Sequence, residues 1–474
     1  MNYRSLLGNF SVALVAQATG LLLGFVTSLV IPKVLNITEY GYWQLFIFYA
    51  GYVGLFHFGL NDGVYLIHGG KTRNTIDKKS ISSQFWFCVT IETIIAGAIS
   101  LIAITSTFES ERIFILVATA IYLFFNNTTL FLGYLFQAMN ETKLFSYSVA
   151  INNLILLPIF AILAVLNIHD FRVYISFYIG AKILSFLFCV IKGRELILSK
   201  KYSFSGTLKK AFESISVGSK LLVANLASML LIGALQFFID FHWGVEAFGK
   251  LSFALSLVAL FQTFAAQASM VLFPSLRQTH AGEVTSFFSI ASLILGFLLP
   301  VVFALYFPIS IALNLWLPQY EESFKLFGLL LPICLFESRM DLIGATYLKV
   351  LRKEGKLLKI NGISSVINAG CVIISIFIFE SITLAIISVD IIIACRSLFT
   401  EHYIRKIIKA PVDHMAFFTT LFSALFIVSH LLFPSEITFF ISLITYLVFI
   451  IIQRKKIISI KSLFKKTNSP ETTK

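Results

Sequence analysis

Charged side chains inside long apolar stretches are the residues of this sequence that could do chemistry. Four of them are basic: Lys182, Lys220, Arg339 and Arg396. Acidic residues occupy comparable positions: Asp62, Glu92, Asp240, Glu337, Asp341 and Asp390. A charge near the centre of a bilayer costs about 2.5–3.5 kcal/mol or more on insertion scales. We therefore expect each of these side chains to face either a charged partner or an aqueous cavity.

The basic residues could bind a phosphate-bearing ligand. Lys182 and Arg396 lie 214 positions apart, and each follows a small residue. Arginine binds a pyrophosphate bidentately, and lysine binds it as a point charge. We hypothesise that Lys182 and Arg396 face one shared cavity, with Arg339 and Lys220 as further candidates. The alternative is that these cations form structural ion pairs or extend to the membrane interface.

The acidic residues could bind a coupling ion. Glu337 and Asp341 are four residues apart, so they share one face of a helix. They follow Pro332, which frees a backbone carbonyl. A proton or Na⁺ could bind to these acids, or the acids could belong to internal ion-pair networks. The same two interpretations apply to three further acids: Asp62, Glu92 and Asp390. Amide side chains such as Asn126 and Asn127 could bond either sugar hydroxyls or neighbouring helices.

The motifs do not predict an enzyme, a metal site or a cofactor. Residues 69–72 (GGKT) end like a phosphate-binding loop, but Tyr65 stands where that loop requires glycine. The eight histidines lack zinc-ligand spacing, and the five cysteines include no CxxC pair. A membrane-embedded saccharide polymerase or ligase is the enzyme alternative. It would need a sizeable outward loop, and the largest outward connection, about 307–322, is short and has no Arg or His.

The elements that must position these residues are transmembrane helices. Hydrophobic residues make up 58% of the chain and charged residues only 13%, about half the charged share of a soluble domain. Apolar runs of about 20 residues can cross the ~30 Å hydrocarbon layer. We predict an all-α polytopic membrane protein with about 14 spans, although 12 would also fit. The spans, numbered 1 to 14 below, are 10–31, 41–66, 82–107, 112–138, 146–166, 172–191, 217–240, 247–273, 285–306, 323–348, 359–379, 382–404, 414–433 and 437–453.

The distribution of Lys and Arg predicts the orientation of these spans. Of the 37 basic residues, 28 fall in loops on one side and five on the other, in strict alternation. The five are Lys33, Arg112, Arg172, Lys250 and Lys325. Because cytoplasmic loops carry the excess of basic residues, we expect both termini in the cytoplasm. The longest connection, about 25 residues from Lys192 to Ser216, is predicted to be a cytoplasmic loop.

The chain also repeats itself weakly. Gly41 opens span 2 and Gly249 opens span 8, 208 positions later, in similar acidic-glycine contexts. Asn140 and Lys353 begin similar loops 213 positions apart, after spans 4 and 10. Six spans separate each pair, so the two copies have the same orientation. We predict a six-helix lobe at 1–200, a second at 201–410, and two extra helices with a basic tail at 411–474. A substrate site is expected between such halves.

One segment resembles a known family. Bacterial polysaccharide repeat-unit flippases contain a recurring segment that is similar to residues 58–66 (FGLNDGVYL) with GGK at 69–71. Their entry into helix 2 resembles IPKVL at 31–35 followed by EYG at 39–41. These flippases belong to the multidrug/oligosaccharidyl-lipid/polysaccharide exporter superfamily, whose members have 12 or 14 helices in two six-helix lobes. Related lipid II flippases carry an arginine in helix 1, whereas this chain has no charge between Arg4 and Lys33.

The resemblance implies a function and its partners. It implies export of an undecaprenyl-pyrophosphate-linked oligosaccharide repeat unit from the cytoplasmic to the outer leaflet, for O-antigen or capsule synthesis. Transport would use alternating access to a central cavity and would be driven by an H⁺ or Na⁺ gradient. The protein would lie in the bacterial inner membrane, and nucleic acid is not an expected partner. Polysaccharide polymerase and chain-length proteins are further possible partners. A multidrug or cation antiporter of the same superfamily is the first alternative. A cationic drug needs acids in the cavity and a pyrophosphate needs cations, so Lys182 favours the lipid-linked saccharide.

Overall fold

The protein is all helical in the part of the chain that the structure describes. The structure is a computed structural model that describes residues 17–277, 281–411 and 415–467. Side chains are described for these residues except 264–277, 281–284, 286 and 454–467. Within the described residues, 11 helices are long and apolar enough to span a membrane, or 12 if a bent pair counts as one span. The predicted all-α polytopic class is confirmed.

Each predicted span coincides with helix where the structure describes it. The helices of spans 1 to 6 are Gln17–Val34, Ile37–Tyr52 with Leu60–His68, Lys78–Thr105, Ser110–Ala138, Thr142–Val165 and Phe171–Ile197. The later helices are Phe204–Arg277, Ala281–Leu298, Val301–Trp316, Glu321–Arg339, Thr346–Val350, Glu354–Phe377, Ile382–Ile408, Met415–Leu432 and Ser435–Thr467. Residues 1–16, which include the first seven residues of predicted span 1, and residues 468–474 of the predicted cytoplasmic tail lie outside the described residues.

The count of 11 or 12 differs from 14 for a structural reason. Predicted spans 7 and 8 fall in one helical stretch, Phe204–Arg277, with non-helical backbone at Gly244 (φ 80°). Predicted span 10 is the helix Glu321–Arg339, which continues through a π-helical stretch at Met340–Ala345. Because this span contains several acids and an arginine, its helix is not among the 11 that are apolar enough to be counted as spanning a membrane.

The predicted loop from Lys192 to Ser216 is mostly helix. The helix of span 6 continues to Ile197, and the next helix already begins at Phe204. The start of this second helix is amphipathic, because Ala211 is fully buried in an apolar cluster with Leu196 and Ile197 whereas Phe212 stays exposed. The loop prediction was therefore wrong. A basic segment with this periodicity folds as a helix that lies against its neighbours.

The described helices form two compact units, the first ending at Phe253 and the second starting at Ala254. In the first unit the fully buried Trp43 makes edge-to-face contacts with Phe160 and Tyr178, both at a centroid distance of 5.7 Å. These rings join spans 2, 5 and 6. In the second unit Tyr347, which follows the π-helical stretch, is fully buried and packs edge-to-face on Phe288. The six-helix boundaries at 200 and 410 stay a prediction.

Span 2 is broken rather than continuous. Its first helix gives way to a 3₁₀ turn at Val53–His57, and the second helix, Leu60–His68, is bent from it by 57°. Phe58 (φ 52°) and Gly59 (φ 87°) both adopt left-handed backbone. Glycine tolerates this conformation, but phenylalanine does not favour it. The break lies inside the segment that carries the family resemblance.

Small residues allow two close helix contacts in the first unit. The second helix of span 2 meets the helix that starts at Phe204: a Cβ atom at Gly63 would overlap the Ser214 backbone, and one at Gly218 would overlap that of Gly59. The first helix of span 2 meets the same long helix beyond Gly244. A Cβ atom on Gly249 would lie 2.8 Å from the Cα atom of Gly41. Glycines at this spacing let helix backbones touch within a membrane.

Replacing Gly63 with alanine should destabilise the protein by about 1–3 kcal/mol, because the new methyl group must push two backbones apart. Gly97→Ala is the matched control, since no described atom beyond its chain neighbours and the backbone of its own helix lies within 4 Å of its Cβ position. That change should be neutral or stabilising by up to about 1 kcal/mol, because alanine is the better helix former. Thermal unfolding of the purified variants measures both effects. Equal unfolding temperatures for the two variants would contradict the close contact.

Candidate functional site

Lys182 is a basic residue inside span 6, and its ammonium group contacts an aromatic ring. Its ammonium lies 5.6 Å from the centroid of the Tyr122 ring, and its side chain is half-buried. Tyr122 is itself positioned by Tyr178, whose ring is 5.5 Å away and which packs on the buried Trp43. The contact with Tyr122 is a cation–π interaction. Among the described residues, no acid forms an ion pair with Lys182, so its charge is available for an anionic ligand.

Glu92 lies in a buried network of amides beside the break in span 2. Its Oε1 atom accepts a hydrogen bond from Asn127 Nδ2 at 3.0 Å. The same Nδ2 donates to the Val53 carbonyl at 2.8 Å, and Asn61 Nδ2 donates to the Asn127 carbonyl at 3.0 Å. Glu92 is 1% exposed and Asn61 is fully buried. Two acceptors, Glu92 Oε2 and Asn61 Oδ1, have no hydrogen-bond partner in the described part of the chain.

Asp62 lies in the first turn of the helix that follows the break. Its Oδ2 atom is 3.8 Å from His57 Nε2, and both side chains are buried. His57 Nδ1 accepts a hydrogen bond from the Gly59 amide at 3.0 Å. An acidic residue in the first turn of a helix is stabilised by the exposed amides there. The contacts of Asp62 thus lie at the start of the helix Leu60–His68.

The second unit contains a buried cluster around Glu401. Arg339 donates to Glu401 Oε2 through Nη2 at 2.6 Å and through Nε at 3.2 Å. Arg405 Nη2 donates to Oε1 at 2.9 Å, and the Ser292 hydroxyl donates to the same oxygen at 3.0 Å. Arg339 is 1% exposed and Glu401 is 4% exposed. Glu401 was not among the candidates from the sequence, although it lies five residues after Arg396 on the same predicted span.

A second buried pair joins Arg396 and Glu337. Arg396 Nη2 donates to Glu337 Oε2 at 2.5 Å, and Nη1 donates to Asn361 Oδ1 at 3.4 Å. Arg396 is 2% exposed, whereas Asp341 at the start of the π-helical stretch is exposed. Arg339 and Arg396 are therefore engaged by acids of their own unit. This is the structural ion-pair alternative that the sequence left open for these residues.

The remaining candidates differ in environment. Asp390 is 3% exposed, and neither of its carboxylate oxygens has a hydrogen-bond partner within the described residues. Lys220 is exposed, two residues after Gly218 in the close helix contact. Asp240 receives two hydrogen bonds from Arg112, at 2.7 and 2.8 Å. Such a bidentate pair is the strong form of an ion pair.

The described residues contain no group of three or more His, Cys, Asp or Glu side chains that could hold a metal ion. Neither a scan against protein-family models nor a search of curated proteins finds a match. Solved structures do match over most of the chain. These similarities are to transporters.

Three solved structures illustrate the similarity. One is an inward-facing multidrug resistance MATE family transporter of the MOP superfamily, at 12% identity, 85% coverage of this chain, 97% of that chain and a TM-score of 0.61. Another is the lipid II flippase MurJ in an inward closed conformation, at 15% identity, 96% and 100% coverage and a TM-score of 0.61. A mutant of the MATE transporter VcmN from Vibrio cholerae matches at 13% identity, 87% and 98% coverage and a TM-score of 0.51. At these identities the likeness concerns the fold, and this multi-pass membrane protein therefore has the fold of MOP superfamily transporters.

Proposed function

We propose that this protein is a flippase for a lipid-linked saccharide. Its substrate would be an undecaprenyl-pyrophosphate-linked oligosaccharide repeat unit, moved from the cytoplasmic to the outer leaflet of a bacterial inner membrane for O-antigen or capsule synthesis. The observation that carries the proposal is Lys182, a cation inside a span with an aromatic contact and no acid partner among the described residues. The similarity of the fold to that of membrane transporters does not depend on Lys182.

The contrast between Lys182 and the arginines supports this assignment. Arg339 and Arg396 each have a carboxylate at hydrogen-bond distance, so a ligand anion would have to displace an acid from them. The described residues contain no such competitor at Lys182, and a pyrophosphate group would supply a counter-charge there. A charge-assisted hydrogen bond to a phosphate oxygen is worth about 1.5–3 kcal/mol.

A cation antiporter is a second candidate, because one observation favours it. Glu92 and Asp390 are buried acids with no cationic partner in the described parts of the chain. Such carboxylates could bind a cationic drug if an aqueous path reached them. Their depth and the neighbouring amide network suit a small ion better than a drug-sized ligand. We therefore assign these acids to ion coupling and the cargo to Lys182.

A deletion strain tests the proposed function. Loss of a flippase should leave complete lipid-linked repeat units on the cytoplasmic side of the inner membrane, and surface polysaccharide should disappear. Export of single, unpolymerised units in that strain would indicate a polymerase instead. Normal surface polysaccharide together with new sensitivity to cationic drugs would indicate an antiporter. The wild-type gene on a plasmid is the control that must restore the original surface.

A further inference from the structure

We propose that Glu92 is a proton-carrying residue of the first unit, and that its protonation is coupled to the break in span 2. The coupling to transport rests on the proposed function, whereas the protonation itself does not. Glu92 is 1% exposed, and one of its two carboxyl oxygens has no donor among the described residues. A buried carboxylate without a cation is strongly disfavoured, and a bound proton removes the charge.

Among the described residues, the groups in contact with Glu92 do not supply a counter-charge. Cys88, one turn earlier on the same helix, is a titratable group in electrostatic contact with it. Span 4 faces Glu92 with the neutral Asn127, and the 3₁₀ turn contributes the Val53 carbonyl. Two further titratable groups on the packed elements contact residues other than Glu92. His57 of the turn contacts Asp62 and the Gly59 amide, while on span 6 Lys182 contacts Tyr122 and interacts with Cys189.

The hydrogen bonds favour a proton over a metal cation. A hard cation needs several oxygen ligands in place of water. Here the amide nitrogen of Asn127 lies against Glu92 Oε1, and the Val53 carbonyl is already bonded to that same nitrogen. A donor in this position opposes a metal ion but leaves a proton site on Oε2. That proton would neutralise the carboxyl at Oε2, the oxygen that has no hydrogen-bond partner among the described residues.

One amide transmits the change in charge to the backbone. Asn127 Nδ2 has two hydrogens, and it uses them on Glu92 Oε1 and on the Val53 carbonyl, which opens the break of span 2. When Oε2 loses its proton to water, the carboxylate carries a full charge and strengthens its hydrogen bond from this amide. Because the amide nitrogen is then drawn toward Glu92, its hydrogen bond to the Val53 carbonyl weakens. The balance is one proton moved between water and Glu92: the O–H bond of the carboxyl breaks, and no other covalent bond changes.

Infrared difference spectroscopy of the purified full-length protein tests the protonation. The wild type should show a carbonyl stretch of a protonated carboxylic acid that disappears on raising the pH, and Glu92→Gln should lack that band. Glu195→Gln is the matched control, because Glu195 is exposed on span 6 and pairs loosely with Lys78 at 4.0 Å. A band that persists unchanged in Glu92→Gln would overturn the proposal. A second result would also overturn the proposal: at constant pH, Na⁺ raises the unfolding temperature of the wild type but not that of Glu92→Gln.

The deletion strain tests the coupling separately. Glu92→Gln, which mimics the protonated form, should restore no more surface polysaccharide than the empty vector, although the purified variant binds undecaprenyl pyrophosphate like the wild type. Glu195→Gln should restore it fully. Restoration by Glu92→Gln, with the infrared band lost, would overturn the coupling. If the deletion itself left the surface unchanged, the proposed cargo would be wrong, while the infrared result on Glu92 would stand independently.

Discussion

Replacing Lys182 with alanine should weaken binding of undecaprenyl pyrophosphate by about 10- to 100-fold, because a charge-assisted contact worth about 1.5–3 kcal/mol is lost. Lys182→Arg keeps the charge and can still lie over the Tyr122 ring, so it should retain most of the affinity. Native mass spectrometry of the purified protein in lipid nanodiscs, titrated with undecaprenyl pyrophosphate, measures both variants. Export in the deletion strain should follow the same order.

The control for this experiment is a second lysine. Lys220 is exposed and has the same charge, and no acid of the described chain pairs with it. Lys220→Ala therefore removes one positive charge without touching the ring beside Lys182, and it should change the affinity far less. Wild-type affinity in Lys182→Ala would contradict the assignment of the substrate anion to Lys182. Equal losses in the two alanine variants would mean that overall charge, not this site, attracts the lipid.

Replacing Glu401 with alanine should destabilise the folded protein by about 3–5 kcal/mol, because it leaves buried arginine charge without its acid. Arg339, at 1% exposure, loses the carboxylate with which it pairs, and Arg405 loses the same acid while it still donates to the Pro411 carbonyl. Thermal unfolding of the purified protein measures the loss. The double variant Arg339→Met with Glu401→Leu should recover the part of the loss that Arg339 causes, since apolar side chains often replace a buried ion pair without penalty, whereas Arg405 still lacks its acid.

An exposed ion pair of the same unit provides the comparison. Glu321 lies 3.8 Å from Lys325, one turn apart, and both side chains are about two-thirds exposed. Glu321→Ala should change stability by less than about 1 kcal/mol, since exposed pairs contribute little. If Glu401→Ala unfolded at the wild-type temperature, or at a temperature no lower than that of the double variant, the burial of this cluster would not control the stability of the second unit.

Hydrophobic patterning was sufficient to predict the helices but not their interruptions. The apolar runs predicted each span, because crossing a bilayer imposes a length that the sequence shows directly. The break in span 2 escaped prediction: Gly59 is a possible signal, but Phe58, which also adopts left-handed backbone, gives no hint of it. The helix from Phe204 was missed because its lysines suggested a loop. Only packing against the cluster around Ala211 shows why this basic segment is ordered as a helix.

The candidate site could be predicted as a set of charges but not as a set of pairs. Every ionisable residue proposed from the sequence needs a charged partner, a proton or water, because it lies in an apolar run. The sequence alone shows which residues are in this position. Which partner satisfies it depends on contacts between distant segments. Arg396 resembled Lys182 at an offset of 214 positions, yet Glu337 binds Arg396 while Tyr122 holds Lys182. That the two cations share a cavity stays a prediction.

The two glycine contacts of the first unit have a mechanical consequence. Span 2 touches the long helix near Gly63 and near Gly41, and between these contacts the Tyr52 hydroxyl donates to the Met229 carbonyl of the same helix at 3.2 Å. Span 2 bends at Phe58–Gly59, and the long helix has non-helical backbone at Gly244. Each of these bends is therefore clamped by one contact on either side of it. Neither bend can change its angle unless one of the clamping contacts is released.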